Sequence, residues 1–334
     1  FMKLVNYLFI FIFLIFTPSL SESPSGFLKW KDNFKKIALE NDISEKTFDT
    51  VMANIEFLPN VIKYDRYQPE FYEDTKTYIS KRTSSKKVSK GQDFYKKNKN
   101  LIDNVENLYN IEKELLLALM GIETNFGTYV GKMDIISSLA TLSFDKRRSE
   151  FFSKELIILL KLIENNQIDY KTLYGSWAGA FGYFQFMPST MKNFAIDFDK
   201  NSYIDLKNND DAYASAANYL NKIGWKNNEP CFYKIELSNE IPKKYLNISA
   251  KKIHNKKKLK YFRKYIINQD ILDKKFDSLT SSIVTPDKDI IPNAENLSPA
   301  YIVFDNYEII LQWNRSLRFS LAVCTLKEKI KNEL

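Results

Sequence analysis

The sequence predicts a mainly α-helical fold, of the α+β kind, with a small β-containing insertion. Three observations carry that expectation. Apolar residues recur at helical spacing in mid-chain, as at positions 115, 116, 119, 120 and 122. Seven of the nine glycines (Gly121, Gly127, Gly131, Gly175, Gly179, Gly182 and Gly224) fall between positions 111 and 226, where the backbone must bend sharply or approach something closely. Beyond them, residues 227–300 turn lysine-rich, carry Pro230, Pro242, Pro286 and Pro292, and hold short β-like runs such as Cys231 to Leu237.

Taken in order, residues 1–23 read as a secretory signal: Lys3, an apolar run from Leu4 to Phe16, then small and polar residues to Ser23. The alternative is an uncleaved anchor. No cysteine follows the run, so no lipoprotein attachment is expected. No later run reaches the roughly 20 apolar residues of a spanning helix. Residues 24–110 read as a helical N-terminal region and 111–226 as the core in which function is to be sought. In that core, Glu112 to Thr124 forms a helix with Gly127 and Gly131 beyond it. Glu150 to Ile163 forms a second, and Asn209-Asp210-Asp211 caps a third that ends at Gly224. After the 227–300 insertion, residues 301–334 return to the core. There, Tyr301 to Phe304 and Ile309 to Leu311 suit strands or short helical turns, and Ser316 to Lys331 an amphipathic closing helix.

Composition excludes several chemistries. The chain has 334 residues, 49 Lys+Arg against 41 Asp+Glu, and a net charge of +8. Its only histidine, His254, lies in a lysine-rich stretch, and Cys231 and Cys324 are its only cysteines. Neither a His/Cys zinc site nor a histidine-based triad is therefore expected. Proton chemistry must then fall to carboxylates. The densest basic stretch, Lys243 to Lys264, reads as a solvated loop, with attraction to an anionic envelope polymer as its functional alternative. It lacks regularly interleaved aromatics, so no nucleic-acid partner is expected. Gly127 to Lys132 looks like a phosphate loop but has three residues between its glycines and Met133 in place of Ser/Thr.

Glu123 is the candidate acid. It follows Leu116, Leu119 and Met120 by seven, four and three residues, on or beside the apolar face of its helix. Lost hydration there raises a carboxyl pKa, which a general acid at neutral pH needs. The alternative is a helix-terminal glutamate turned outward. Gly175 to Pro188 combines close-approach glycines, the neutral hydrogen bonders Ser176 and Gln185, and the flat faces of Trp177, Tyr183 and Phe184. That mix suits a groove for sugar rings.

Together these segments resemble the lytic murein transglycosylase B family of peptidoglycan-cleaving enzymes. The shared motifs are Asp65-Arg-Tyr-Gln-Pro-Glu-Phe71, Gly121-Ile-Glu-Thr-Asn-Phe-Gly127, Ala140 to Phe144 with Arg147-Arg148, Gly175 to Ser189, Asn218 to Trp225, and Trp313-Asn-Arg-Ser316. The resemblance implies a lysozyme-like core that cuts the β-1,4 bond between N-acetylmuramic acid and N-acetylglucosamine with a 1,6-anhydro product; a hydrolytic muramidase on the same substrate and a non-catalytic peptidoglycan-binding protein are the alternatives. It implies Glu123 as the single acid/base and Ser176, Gln185, Asn314, Tyr78, Tyr183, Trp313, Arg147 and Arg148 as substrate-binding residues. Trp313 and Phe319 stand where tyrosine is common, so a hydroxyl contact is expected to be lost there. Glycan strands of peptidoglycan are the expected partner, for a periplasmic monomer that needs no cofactor.

One loop suits a structural Ca²⁺. Asp197, Asp199, Asn201 and the Tyr203 carbonyl reproduce the start of a calcium loop, with Asp211 closing the site as in some relatives. Ser202 stands at the sharp-turn position and no Glu falls at loop position 12, so a plain polar loop is the alternative. The cysteines could pair outside the cytoplasm. Cys324, mid-helix among Leu321, Ala322 and Leu326, reads instead as a buried free thiol.

Overall fold

A computed structural model describes residues 25–68, 72–288, 291, 295 and 297–334; the signal-like segment lies outside them. Six helices open the fold: α1 (Phe27–Glu40), α2 (Glu45–Val51), α3 (Pro59–Arg66), α4 (Thr75–Arg82), α5 (Ser85–Lys97) and α6 (Lys99–Tyr109). All but α4 share one apolar cluster with the block that follows, through residues such as Phe34, Ile102 and Val105, while Ile79 of α4 packs against the cluster around Val303 and Leu321. That block comprises α7 (Lys113–Thr124), β1 (Met133–Asp134), α8 (Ile135–Phe144), α9 (Ser149–Glu164), β2 (Tyr174–Gly175), α10 (Pro188–Phe194) and α11 (Asn209–Lys222). Helices α7 and α8 are apolar on almost every side and are correspondingly buried. Asp134 caps α8 by accepting from the Ser137 N–H at 2.6 Å.

A second unit is built on β3 (Phe232–Ile235), β4 (Leu246–Asn247), β5 (Lys257–Lys258), α12 (Leu259–Phe262), β6 (Thr280–Val284) and β7 (Ala300–Phe304). Its strands run in the order β3-β7-β6-β4, with β5 also on β6; β4 is parallel to β6 and the other pairs are antiparallel. The sheet covers its own apolar cluster, including Ile235, Phe262, Ile283 and Ile302. The Lys243 to Lys264 stretch is therefore not a solvated loop. It is folded into this unit, with Tyr245, Leu259 and Phe262 buried and its lysines outside. Helix α13 (Asp305–Trp313) begins directly after β7, and α14 (Leu317–Lys331) closes the chain against α7 and α4.

Helix α14 departs from expectation in being buried on nearly all sides, not amphipathic. Its polar residues must then be paired. Lys327 is 4% exposed, and its Nζ lies 3.1 Å from the Glu112 carboxylate, which also accepts from Trp225 Nε1 at 3.0 Å. Arg318 meets Asp287 at 2.8 Å, and Asp287 also accepts from the Thr75 N–H at 2.9 Å, joining α14 to the start of α4.

Cys324 is buried, as expected, but it is not a free thiol. It is bonded to Cys231 at the start of the small unit, closing a separation of 93 residues. The helical spacing that buries Cys324 says nothing of β3, which arrives from elsewhere in the chain. Closing so long a loop restricts the unfolded ensemble strongly. Replacing both cysteines with serine is expected to cost about 2–4 kcal/mol, read from denaturant unfolding of the oxidised protein and the variant.

Candidate active site

The C-terminus of α7 positions Glu123. After Thr124 the chain turns through three successive left-handed residues, Asn125, Phe126 and Gly127, with φ of 51°, 59° and 73°. The carbonyls this leaves without helical partners are met by lysines of α5. Lys87 Nζ donates to the Gly121 carbonyl at 2.7 Å and Lys90 Nζ to that of Asn125 at 2.8 Å. The Thr124 hydroxyl donates to the Tyr183 carbonyl at 2.8 Å and accepts from the Gly127 N–H at 3.1 Å. The helix end is thus fastened on two sides.

Glu123 is half-buried and turns into a cleft of about 840 Å³. The alternative of a glutamate simply facing outward does not hold. One wall is the 175–187 segment, with Ser176, Trp177, Gln185 and Met187; opposite stand Trp313, Asn314 and Arg315. Tyr64, Tyr67, Gln68, Tyr129 and Lys132 complete the rim. Among the described residues lining the cleft, Glu123 is the only carboxylate.

Trp313 Nε1 donates to Glu123 Oε1 at 3.0 Å. No hydroxyl stands at this position, and the indole N–H supplies a donor in its place. The Trp313 ring stacks on Tyr219 with centroids 5.0 Å apart, and meets Phe186 edge-on at 5.5 Å. These rings fix its plane and hence the direction of its N–H. Phe319, by contrast, is buried and does not line the cleft.

Ser176 and Gln185 sit in a wall made possible by close backbone approach. A Cβ on Gly131 would fall 2.1 Å from the Gly175 carbonyl oxygen, and one on Gly175 would fall 2.2 Å from that of Ala180. Only glycine fits either place. The Ser176 hydroxyl accepts from the Ala180 N–H at 3.1 Å, which leaves its own proton to donate. Gln185 has φ 51°, and its Nε2 donates to the carbonyls of Gly182 and Val130 at 2.9 and 3.3 Å. Its amide nitrogen is engaged with the wall.

Other expected binders lie outside the cleft. Arg147 and Arg148 both pair with Asp65, which is 1% exposed; Arg147 Nε donates to it at 2.7 Å, and Arg148 Nη2 lies 2.9 Å away. The pair thereby anchors the end of α3, from which Tyr64, Tyr67 and Gln68 reach the rim. Tyr78 is buried, with the Arg82 guanidinium 3.5 Å from its ring centroid. Tyr183 packs behind the turn at Gly127, and burial followed by the Asp205 charge pushes its phenol up.

The acidic loop does assemble. Asp197, Asp199 and Asp211 bring carboxylate oxygens within 4.8 Å of one another. Asp211 is fully buried and accepts from the N–H groups of Phe198 and Asp205 at 2.7 and 2.8 Å; burial, first of all, pushes its carboxyl up. Among the described residues no basic side chain pairs with these three acids. The Asn201 amide oxygen accepts from the Tyr203 N–H at 2.8 Å, and Ser202 takes the sharp turn at φ 73°.

Residues 26–328 match the transglycosylase SLT domain family. Over 149 residues the chain is 38% identical to the membrane-bound lytic murein transglycosylase B of Escherichia coli (strain K12), a stretch covering 44% of this chain and 41% of that relative. The match thus spans less than half of the relative's length. SltB3 from Pseudomonas aeruginosa, solved in complex with NAG-anhNAM-pentapeptide, superposes with a TM-score of 0.80 at 29% identity, over 92% of this chain and 80% of that one. The Escherichia coli lytic transglycosylase Slt35, solved in complex with calcium, superposes with a TM-score of 0.74 at 24% identity, over 91% and 93% of the two chains. The mainly α, lysozyme-like architecture is common to this chain and the two solved structures. With the family match running from α1 into α14, the chain belongs to the transglycosylase SLT domain family.

Proposed function

We propose that this protein is a periplasmic lytic transglycosylase of peptidoglycan. It cuts between N-acetylmuramic acid and N-acetylglucosamine without adding water. The observation that carries this reading is the acid content of the cleft: among the described residues lining it, Glu123 stands as the single carboxylate, facing amides, hydroxyls and aromatic rings. Hydrolytic routes ordinarily enlist a second carboxylate, to activate water or to trap the sugar.

Glu123 gives its proton to the glycosidic oxygen as the C1–O bond breaks. It then takes the proton of the muramic acid C6 hydroxyl, whose oxygen closes on C1 and forms the 1,6-anhydro ring. The acid is thereby restored. Attack from the same ring gains from proximity. The Trp313 N–H holds Oε1 through both steps, because it can donate to either form of the carboxyl. Ser176 and Asn314 orient hydroxyl and acetamido groups, and Gln185 shapes the wall that holds the strand. Arg147, Arg148, Tyr78 and Tyr183 serve from outside the cleft, by fixing the rim and the turn after α7. Digestion of purified sacculi followed by mass spectrometry tests the reading. Muropeptides with anhydro ends are expected, and products heavier by one water would overturn it.

The same reading includes a structural Ca²⁺ at Asp197, Asp199, Asn201, the Tyr203 carbonyl and Asp211. Its support is the donor set, all oxygen, with a buried carboxylate that no basic side chain among the described residues neutralises. Bound there, the ion would neutralise the three carboxylates away from the chemistry. Calcium at about 100-fold over Kd is expected to raise stability by about 2.7 kcal/mol with kcat unchanged. A Tm indifferent to calcium and chelator would remove the site.

A further inference from the structure

The net charge of +8 is concentrated in one part of the fold. Residues 241–264 contain nine lysines, one arginine and no acid, while the rest of the chain, with 39 basic and 41 acidic residues, is close to neutral. Among the described residues only Lys256 and Arg263 of this segment pair with carboxylates, those of Glu308 and Asp277. The other eight basic side chains have no carboxylate partner among the described residues. All eight belong to exposed residues.

The segment is folded, so these charges have fixed places. Tyr245 and Tyr261 join hydroxyl to hydroxyl at 2.8 Å. Lys244 lies 5.3 Å from the Tyr245 ring centroid, Lys257 lies 5.8 Å from that of Tyr261, and Lys264 lies 4.9 and 4.8 Å from those of Tyr261 and Tyr265. Three lysines from separate turns of the chain thus converge on one tyrosine platform. The loop between closes on itself: the Asn247 side chain accepts from the His254 N–H at 2.7 Å, and Asn255 donates to the Lys244 carbonyl at 2.5 Å. The segment also reaches the cleft, where Arg315 donates to the Lys251 carbonyl at 3.1 Å.

We infer that this basic face of the small β unit is a docking surface for the carboxylates of peptidoglycan peptide stems, holding the enzyme on the wall while the cleft works on one strand. The inference rests on the proposed function for its choice of polyanion. A bilayer would offer charge too, but the segment touches the lip of the cleft through Lys251 and Arg315, where the wall itself must lie. Lysine suits the task, since its ammonium is a point charge with little demand on geometry.

The test compares the inactive Glu123→Gln protein with the same protein also carrying Lys244→Gln, Lys257→Gln and Lys264→Gln. Cosedimentation is measured with intact sacculi, with sacculi whose stem carboxylates have been converted to amides, and with phosphatidylglycerol vesicles. The triple change is expected to weaken binding to intact sacculi by about tenfold, and amidation to weaken the parent by a similar factor. Both losses should shrink as salt screens the charges. Equal binding by the two proteins, binding that survives amidation, or a lysine-dependent preference for vesicles would each overturn the inference. Circular dichroism and Tm establish that the triple variant is folded. On short soluble glycan fragments, the three lysine changes in an otherwise wild-type chain should leave turnover unchanged. Failure of the wild type itself to cut would count against the proposed function, and the binding result would stand apart from it.

Discussion

Glu123→Gln is expected to lower kcat on glycan strands by about 10²- to 10⁴-fold, the usual worth of a placed general acid and base, with KM little changed. Glutamine keeps the volume of the side chain, and its amide oxygen still accepts from the Trp313 N–H that now reaches Oε1 at 3.0 Å. Only the exchangeable proton is lost. Release of soluble muropeptides reports the rate, and cosedimentation with sacculi reports binding. A variant that cleaved at the wild-type rate would move the acid to another residue.

Lys327→Met is expected to destabilise the fold by about 3–5 kcal/mol, because it leaves the buried Glu112 carboxylate without its nearest cation. Lys331 Nζ, at 3.9 Å and on a half-exposed side chain, is a poor replacement. Adding Glu112→Gln to Lys327→Met should recover much of the loss, since no unpaired charge then remains inside. Denaturant midpoints of the two single variants and the double would measure the coupling. Burial alone would lower the Lys327 ammonium, but the Glu112 and Glu328 carboxylates outweigh it and hold the group above its ordinary value. The pair's contribution is therefore complete below the unfolded lysine pKa of about 10.4, and fades as pH rises through the folded value. A pair whose contribution grew with pH over that range would contradict this account.

Local pattern reached some of these features and not others. The apolar spacing before Glu123 and the glycines beyond it identified both the helix and the bend that ends it. The Gly175 to Pro188 run was legible because its small residues mark close approach, and Gly131 and Gly175 do meet backbone to backbone. Trp313 lies 190 positions from Glu123, and nothing near either residue announces their contact. Arg147 and Arg148 entered only through the family resemblance, and local pattern could not announce Asp65, which holds them from 82 and 83 residues earlier. Lys132, Arg315, Tyr64 and Tyr67 were missed at the rim, since exposed residues of ordinary type carry no periodic signal. The choice of a free thiol at Cys324 failed for another reason: burial is a local inference, pairing with Cys231 a tertiary one.

The junction between β7 and α13 has a mechanical meaning. The strand ends at Phe304 and the helix starts at Asp305, so no slack chain separates the small sheet from the helix whose last residue is Trp313. Cys231, hydrogen-bonded through its carbonyl to the Phe304 N–H at 2.9 Å, ties the same junction to α14 through the disulfide. A load applied to the sheet has little to stretch before it arrives at the indole. The sheet, the helix that ends at Trp313 and the closing helix are thus joined without slack, and the indole at the end of that path is the group that donates to Glu123.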